Sequence, residues 1–128
     1  GEYLRDKDVY ELIKKAGKSY YSAGSYTESN NDTAFAILAL VVKKVSGQTF
    51  QDFMTENVFK PIGMNNTVAL VEGYNSVPER AYGCGNISKY GLIGTLDQYA
   101  YSSVLGDGGI YTSLNEMYLW DQAIDKTC

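Results

Sequence analysis

Histidine is absent from the 128-residue chain. That removes Ser-His-Asp and Cys-His nucleophile systems, and every His-ligated metal site, from what these residues can build by themselves. Cysteine is nearly absent: Cys84 and Cys128 are the two in the chain, and they form no Cys-x-x-Cys motif. Two thiols are too few for a tetrahedral zinc site, so neither metal nor cofactor is expected. A disulfide between them is not expected either, because the second cysteine is the last residue, where chains fray. Long apolar runs are missing: the longest, residues 34–42, has nine residues, about half of what a membrane helix needs, and no membrane span is expected. Basic charge is in deficit, with 11 Lys and Arg against 15 Asp and Glu and a net charge of -4. A nucleic-acid surface is not expected from such a balance. No leader pattern is visible in the opening Gly1-Glu2-Tyr3-Leu4-Arg5-Asp6, which reads as a fragment boundary and leaves the compartment open.

What is present fits a folded chain: 45% apolar and 20% charged residues, of a size for one domain or a piece of a larger one. Twelve tyrosines are scattered without period, as expected of core edges and surfaces rather than a base-stacking platform. Asp6 or Asp8 can cap a first helix, in which Val9, Leu12, Ile13 and Ala16 follow a helical period and Gly17 stops the run. After a loop rich in Tyr, Ser and Gly, Asp32 or Thr33 opens the most apolar segment, residues 34–45. Apolar nearly all round, it reads as a buried central helix ending at Lys43, Lys44 and Gly47. Thr49-Phe50-Gln51-Asp52 resembles a capping box for a third helix, with Phe50, Phe53, Met54 and Val58 on one face and Lys60-Pro61-Ile62-Gly63 as its stop. Periodicity is weak over 65–109, where one or two short strands are expected, around 67–71 and 79–83. So long an irregular run is uncommon in a self-contained domain and suggests that it leans on something else. Ser113-Leu114-Asn115-Glu116 reads as a capping box for a last helix with a stripe of Leu114, Met117, Trp120 and Ile124. Asn65-Asn66-Thr67 and Asn86-Ile87-Ser88 match glycosylation sequons, but such triplets recur by chance. The expected class is mainly α, an α+β chain with minor short strands.

Four ordered blocks carry a family resemblance. Asn31-Asp32-Thr33-Ala34-Phe35 running into Leu40-Val41-Val42-Lys43-Lys44-Val45-Ser46-Gly47 is the first, and TFQDFMTENVFKPIGMNNT from Thr49 to Thr67 the second. Arg80-Ala81-Tyr82-Gly83 and Gly106-Asp107-Gly108-Gly109-Ile110-Tyr111-Thr112-Ser113 through Trp120 complete the set. Together they resemble the class C β-lactamase-like serine hydrolases, which include penicillin-binding proteins, D-aminopeptidases and some esterases. The resemblance implies a single domain over residues 1–128 that corresponds to the helical half of that fold. It also implies an active site shared with an α/β half built from both chain ends.

The departures matter more. Family enzymes acylate the serine of a Ser-x-x-Lys motif. The residues three before each lysine here are Leu4, Glu11, Leu12, Lys15, Leu40, Val41, Asn57, Asn86 and Ala123, none of them serine. The resemblance places Tyr-x-Asn, without gaps, on Asn30 and Asp32. No register supplies the tyrosine, and an amide at Asn30 does not titrate in the range of a general base. Asp32 is read first as a helix N-cap. The third family motif, Lys-Thr-Gly or His-x-Gly, is echoed by Lys126-Thr127-Cys128, but in a helix tail. Catalytic residues are therefore expected to be absent, with Asn30, Asp32 and Asp107 as candidate substrate-binding residues.

Two functions compete at this stage. One is a partial β-lactamase-related hydrolase domain, inactive alone because nucleophile, base and oxyanion donors are missing. The other is a non-enzymatic binding or self-association module, in which a surface that faced the α/β half meets a second copy or another partner. A carboxylate-pair enzyme using Asp107 with Asp32 or Glu28 is a third and weaker reading. The Gly106–Gly109 turn is not a phosphate loop, since Gly-Lys-Ser/Thr is absent.

Overall fold

A computed structural model describes residues 3–19, 22, 24–26, 31–87, 92–95 and 102–126. Four α-helices set the frame: α1 (Asp6–Ala16), α2 (Asp32–Ser46), α3 (Phe50–Met54) and α4 (Leu114–Asp125). Six short strands join them: β1 (Leu4–Arg5), β2 (Val68–Ala69), β3 (Cys84–Ile87), β4 (Leu92–Thr95), β5 (Ser102–Ser103) and β6 (Ile110–Tyr111). They pair two by two, β1 with β5 in parallel, β2 with β6 and β3 with β4 antiparallel. The chain is mainly α, as its sequence implies.

The helix ends are set by local chemistry, though not always by the residue expected to cap them. Neither Asp6 nor Asp8 is the N-cap of α1. Arg5 holds that position in extended backbone, and Asp8 reaches back to accept its backbone N–H at 2.9 Å. Asp6 is thereby free to look elsewhere. Gly17 closes the helix at a φ of 64°, a conformation only glycine adopts without penalty. In α2 the N-cap is Asn31, not Asp32 or Thr33: its side-chain oxygen accepts the Ala34 N–H at 3.0 Å. Asp32 becomes the first helical residue, where its charge faces the positive end of the helix dipole. Thr49 caps α3 as expected, accepting the Asp52 N–H at 3.2 Å.

Beyond Met54 the helix continues as a π turn (Thr55–Phe59) and a 3-10 turn (Lys60–Ile62), stopping at Gly63. Side chains compete with the backbone ladder there: the Thr55 hydroxyl donates to the Gln51 carbonyl at 2.8 Å and Asn57 Nδ2 to the Phe53 carbonyl at 3.1 Å. Such back-bonding bends helices and favours wider turns. The rotation turns Phe59 inward, 2% exposed, onto Met64, Ala69, Val71 and Leu105. Phe50, Met54, Ile62, Leu119 and Trp120 close over this cluster.

Three sequence expectations are corrected. The strand around 67–71 exists as β2, but 79–83 is not a strand; Glu79 lies in the left-handed region at a φ of 53°, which breaks extension, and β3 begins only at Cys84. In α4 the stripe Leu114, Met117, Trp120, Ile124 is not the buried one: Leu114, Met117 and Ile124 are exposed. The inward face carries Glu116, Leu119 and Trp120, one turn apart. Finally, α2 is a helix but not a buried one. Only Ala36 and Ala39 are buried, while Phe35, Leu38, Val41 and Val45 lie open to solvent. Both α1 and α3 pack on α2, and among the described residues its Phe35, Leu38, Val41 and Val45 face stays open. No single helix here is long and apolar enough to cross a membrane; α2 with Phe50–Ile62 reaches that composition only as a pair bent by 78°.

Candidate functional site

Two of the three candidate residues meet at the start of α2. Asn30 lies outside the described residues, as does Glu28. Asp32 opens the helix, and the loop carrying Asp107 crosses over it. The crossing is close enough to require glycine: a β-carbon on Gly106 would sit 2.1 Å from the Phe35 carbonyl oxygen and 2.6 Å from the Ala36 α-carbon. At Gly109 a φ of 73° turns the chain from this loop into β6.

Asp6, released from capping, fixes that loop. Its two carboxylate oxygens accept the backbone N–H groups of Leu105 at 3.2 Å and Gly106 at 3.0 Å. A contact between residues 99 and 100 positions apart thus ties the first turn of α1 to the glycine loop. Sequence reasoning missed this role. The one available signal was that two aspartates, Asp6 and Asp8, stand where a single cap is needed.

Asp107 is held above the ordinary aspartate pKa, first by burial and then by the charges of Asp32 and Asp6; a backbone hydrogen bond acts the other way. Asp107 thus senses the charges of Asp32 and Asp6 at the head of α2. Among the described residues no cluster of three His, Cys, Asp or Glu is arranged to hold a metal. The sequence holds no histidine and no Ser-x-x-Lys, so the family's nucleophile and its activating lysine are not among these residues.

Glu116, unlike the exposed Asp107, is a buried carboxylate, and it behaves oppositely. Ser113 caps α4 by accepting the Glu116 N–H at 3.3 Å. The expected capping box is only half made, because the Glu116 carboxylate turns away from the cap. It accepts the Asn66 backbone and side-chain N–H groups at 2.8 and 2.9 Å and the Thr67 hydroxyl at 2.5 Å. Burial pushes its pKa up, but these hydrogen bonds outweigh burial and leave it below the ordinary value. Thr67 also pairs with the Thr112 hydroxyl at 2.7 Å, so the first sequon's threonine is a structural clamp between β2 and α4. Ser88 of the second sequon and Cys128 lie outside the described residues.

Across β6 from that clamp, Arg80 sits between two rings, 4.3 Å from the Tyr111 centroid and 5.1 Å from that of Tyr82, and donates to the Tyr111 hydroxyl. The sequence block Arg80-Ala81-Tyr82-Gly83 is thus a stacking joint. Lys126, the first residue of the echo of a third family motif, is the C-cap of α4, and Thr127 and Cys128 lie outside the described residues.

Comparison with known proteins supplies the wider frame. A protein-family model described as Beta-lactamase matches residues 4–127. The chain is 26% identical over 130 residues to penicillin-binding protein 4* of Bacillus subtilis (strain 168), covering 93% of this chain and 28% of that protein. It is 27% identical over 116 residues to a D-aminopeptidase of Brucella anthropi, covering 91% of this chain and 21% of that enzyme. The solved structure of an octameric penicillin-binding protein homologue from Pyrococcus abyssi superposes with a TM-score of 0.74 at 17% identity, over 92% of this chain and 26% of that one. The fold is shared with that structure, and the chain spans between 21% and 28% of the lengths of these proteins.

Proposed function

The chain belongs to the β-lactamase family, and from that premise we propose that it is a partial serine-hydrolase domain, one wall of an acyl-transfer site, without catalytic activity of its own. The observation that carries this reading is the lack of any Ser-x-x-Lys in the 128 residues. Acyl transfer in this family needs the serine as nucleophile and the lysine to activate it. Neither Asn30, where the family has its tyrosine, nor Asp32 can replace that pair. The short span relative to the curated relatives supports the reading as well. Residues 1–128 then act as a single domain equivalent to the helical half of a hydrolase. Asn30, Asp32 and Asp107 would face substrate across the head of α2, with the Asp6-anchored glycine loop as their support.

Intact-protein mass spectrometry after incubation with a reactive β-lactam, and separately with a fluorophosphonate, tests this. No adduct is expected on the pure chain. A stoichiometric adduct on one serine would overturn the proposal, since a nucleophile would then be activated without lysine, tyrosine or imidazole in the family positions.

A second reading, a non-enzymatic self-association module, has one observation in its favour: the open apolar face of α2, where Val45 is 83% exposed. The octameric state of the Pyrococcus abyssi homologue is compatible with it. A chain that sediments as a monomer across a hundredfold concentration range, on the order of micromolar to tenth-millimolar, would exclude this reading.

A further inference from the structure

A cleft of about 290 Å³ lies between the start of α1, the last turns of α2 and the start of α3. Three cations line it, Arg5, Lys7 and Lys43. Among the described residues none of the three is in an ion pair, the pairs being Lys14 with Glu11 and Lys60 with Glu56. Arg5 lies over the Tyr74 ring, 5.7 Å from its centroid. The one carboxylate at the cleft, Asp6, already has both oxygens committed to the Leu105 and Gly106 N–H groups. In a chain of net charge -4, a concave site with three cations against one carboxylate focuses positive potential where anions can reach it.

A buried donor faces the same cleft. Ser103 is 6% exposed and its hydroxyl oxygen accepts the Glu72 N–H at 3.2 Å. The hydroxyl's own proton has no acceptor among the described residues. A buried O–H without an acceptor is costly and is satisfied when a ligand supplies one. The remaining wall is apolar, formed by Leu40, Phe50, Val71 and Leu105. A bare inorganic ion would leave that wall and most of the volume unused.

We propose that this cleft binds a small organic carboxylate with a short apolar body. The carboxylate is held by Lys7, Lys43 and Arg5 and accepts a hydrogen bond from the Ser103 hydroxyl, and the apolar body lies on Leu40 and Phe50. This goes beyond the hydrolase reading and does not depend on it, because no acyl transfer is involved and an adduct experiment does not report on this cleft.

The test is an NMR titration of the ¹⁵N-labelled 128-residue chain with benzoate, with its neutral isostere benzamide, and with inorganic phosphate. Benzoate is expected to give saturable shifts at the amides of Arg5, Gln51 and Ser103. Benzamide should bind about tenfold more weakly, the factor that one charge-assisted contact supplies. Lys43→Met, an exposed change, and Ser103→Ala should each weaken benzoate about tenfold, with the rest of the spectrum unmoved for Lys43→Met. Phosphate should displace benzoate only weakly. Equal affinity for benzamide, benzoate affinity unchanged in Lys43→Met, tighter binding of phosphate than of benzoate, or no saturable shift at all would each overturn the proposal.

Discussion

Helices α2 and α3 follow one another closely and are both rich in apolar side chains, yet they end in opposite environments. The Phe50–Ile62 run delivers Phe59 to the centre of the core at 2% exposure, whereas α2 leaves Val45 83% exposed. Apolar content does not explain the difference, because α2 is the more apolar of the two. What differs is the neighbours. The run from α3 packs on β2 and α4, whereas α2, which α1, α3 and the Gly106 loop touch, keeps the face of Phe35, Leu38, Val41 and Val45 open. Burial is a relation between surfaces, and its stabilising effect of about 25 cal/mol per Å² accrues only where a second surface is supplied.

The sharpest way to break the comparison is at the two extremes. Phe59→Ala is expected to destabilise the chain by about 3–5 kcal/mol, as large-to-small changes in a filled core do, read from urea or thermal unfolding. Less than about 1 kcal/mol would mean that the Phe59 cluster is no better packed than α2.

Next in size comes the seam where the Gly106 loop crosses α2. Gly106→Ala puts a methyl group against the Phe35 carbonyl, which must move, at about 1–3 kcal/mol. The crossing would be shown to be loose by a neutral Ala variant.

The two carboxylates sharpen the contrast through pH. Glu116 in the well-packed region has a lowered pKa, so its contribution to folding is complete above the ordinary glutamate range and is lost as pH falls through the lowered value. Asp107 at the α2 head has a raised pKa, so the folded state holds that proton more tightly; its contribution is complete in acid and is lost as pH rises through the raised value. Denaturation of Glu116→Gln and Asp107→Asn from about pH 3 to 7 should show Glu116→Gln flattening the acid limb, at about 1–2 kcal/mol near neutrality. Asp107→Asn should gain relative stability as pH rises. Parallel profiles for the two variants would contradict the assignment.

The smallest effect is expected on the open face: Leu38→Ser or Val45→Ser should change the stability of the chain alone by no more than about 0.5 kcal/mol. A larger loss would show that this face is covered, and its dependence on protein concentration would tell whether the cover is a second copy.

Much of the fold was legible because its signals are local. The glycine stops at Gly17, Gly47 and Gly63 and the caps at Thr49 and Ser113 depend on a few adjacent residues. Errors arose where a short polar side chain had a choice of partners. Asp6, Asp8, Asn31 and Asp32 are all acceptable caps, and the winner was decided by what else each could reach. For the candidate site, Asn30 and Asp32 came from the family resemblance and Asp107 from the glycine turn, while Asp6 carried no motif. Its partners lie about a hundred residues away.

The sequence by itself determined the class of the protein: its helices, its family, and a set of residues that excludes histidine chemistry and lacks Ser-x-x-Lys. These are one-dimensional facts, fixed by residue identity and short-range spacing. Only the tertiary structure decided which face of each helix is inside, that Glu116 rather than Leu114 points into the protein, and that Asp6 ties α1 to the glycine loop. Such choices depend on the free energy of bringing distant surfaces and polar groups together, which no window of the sequence contains.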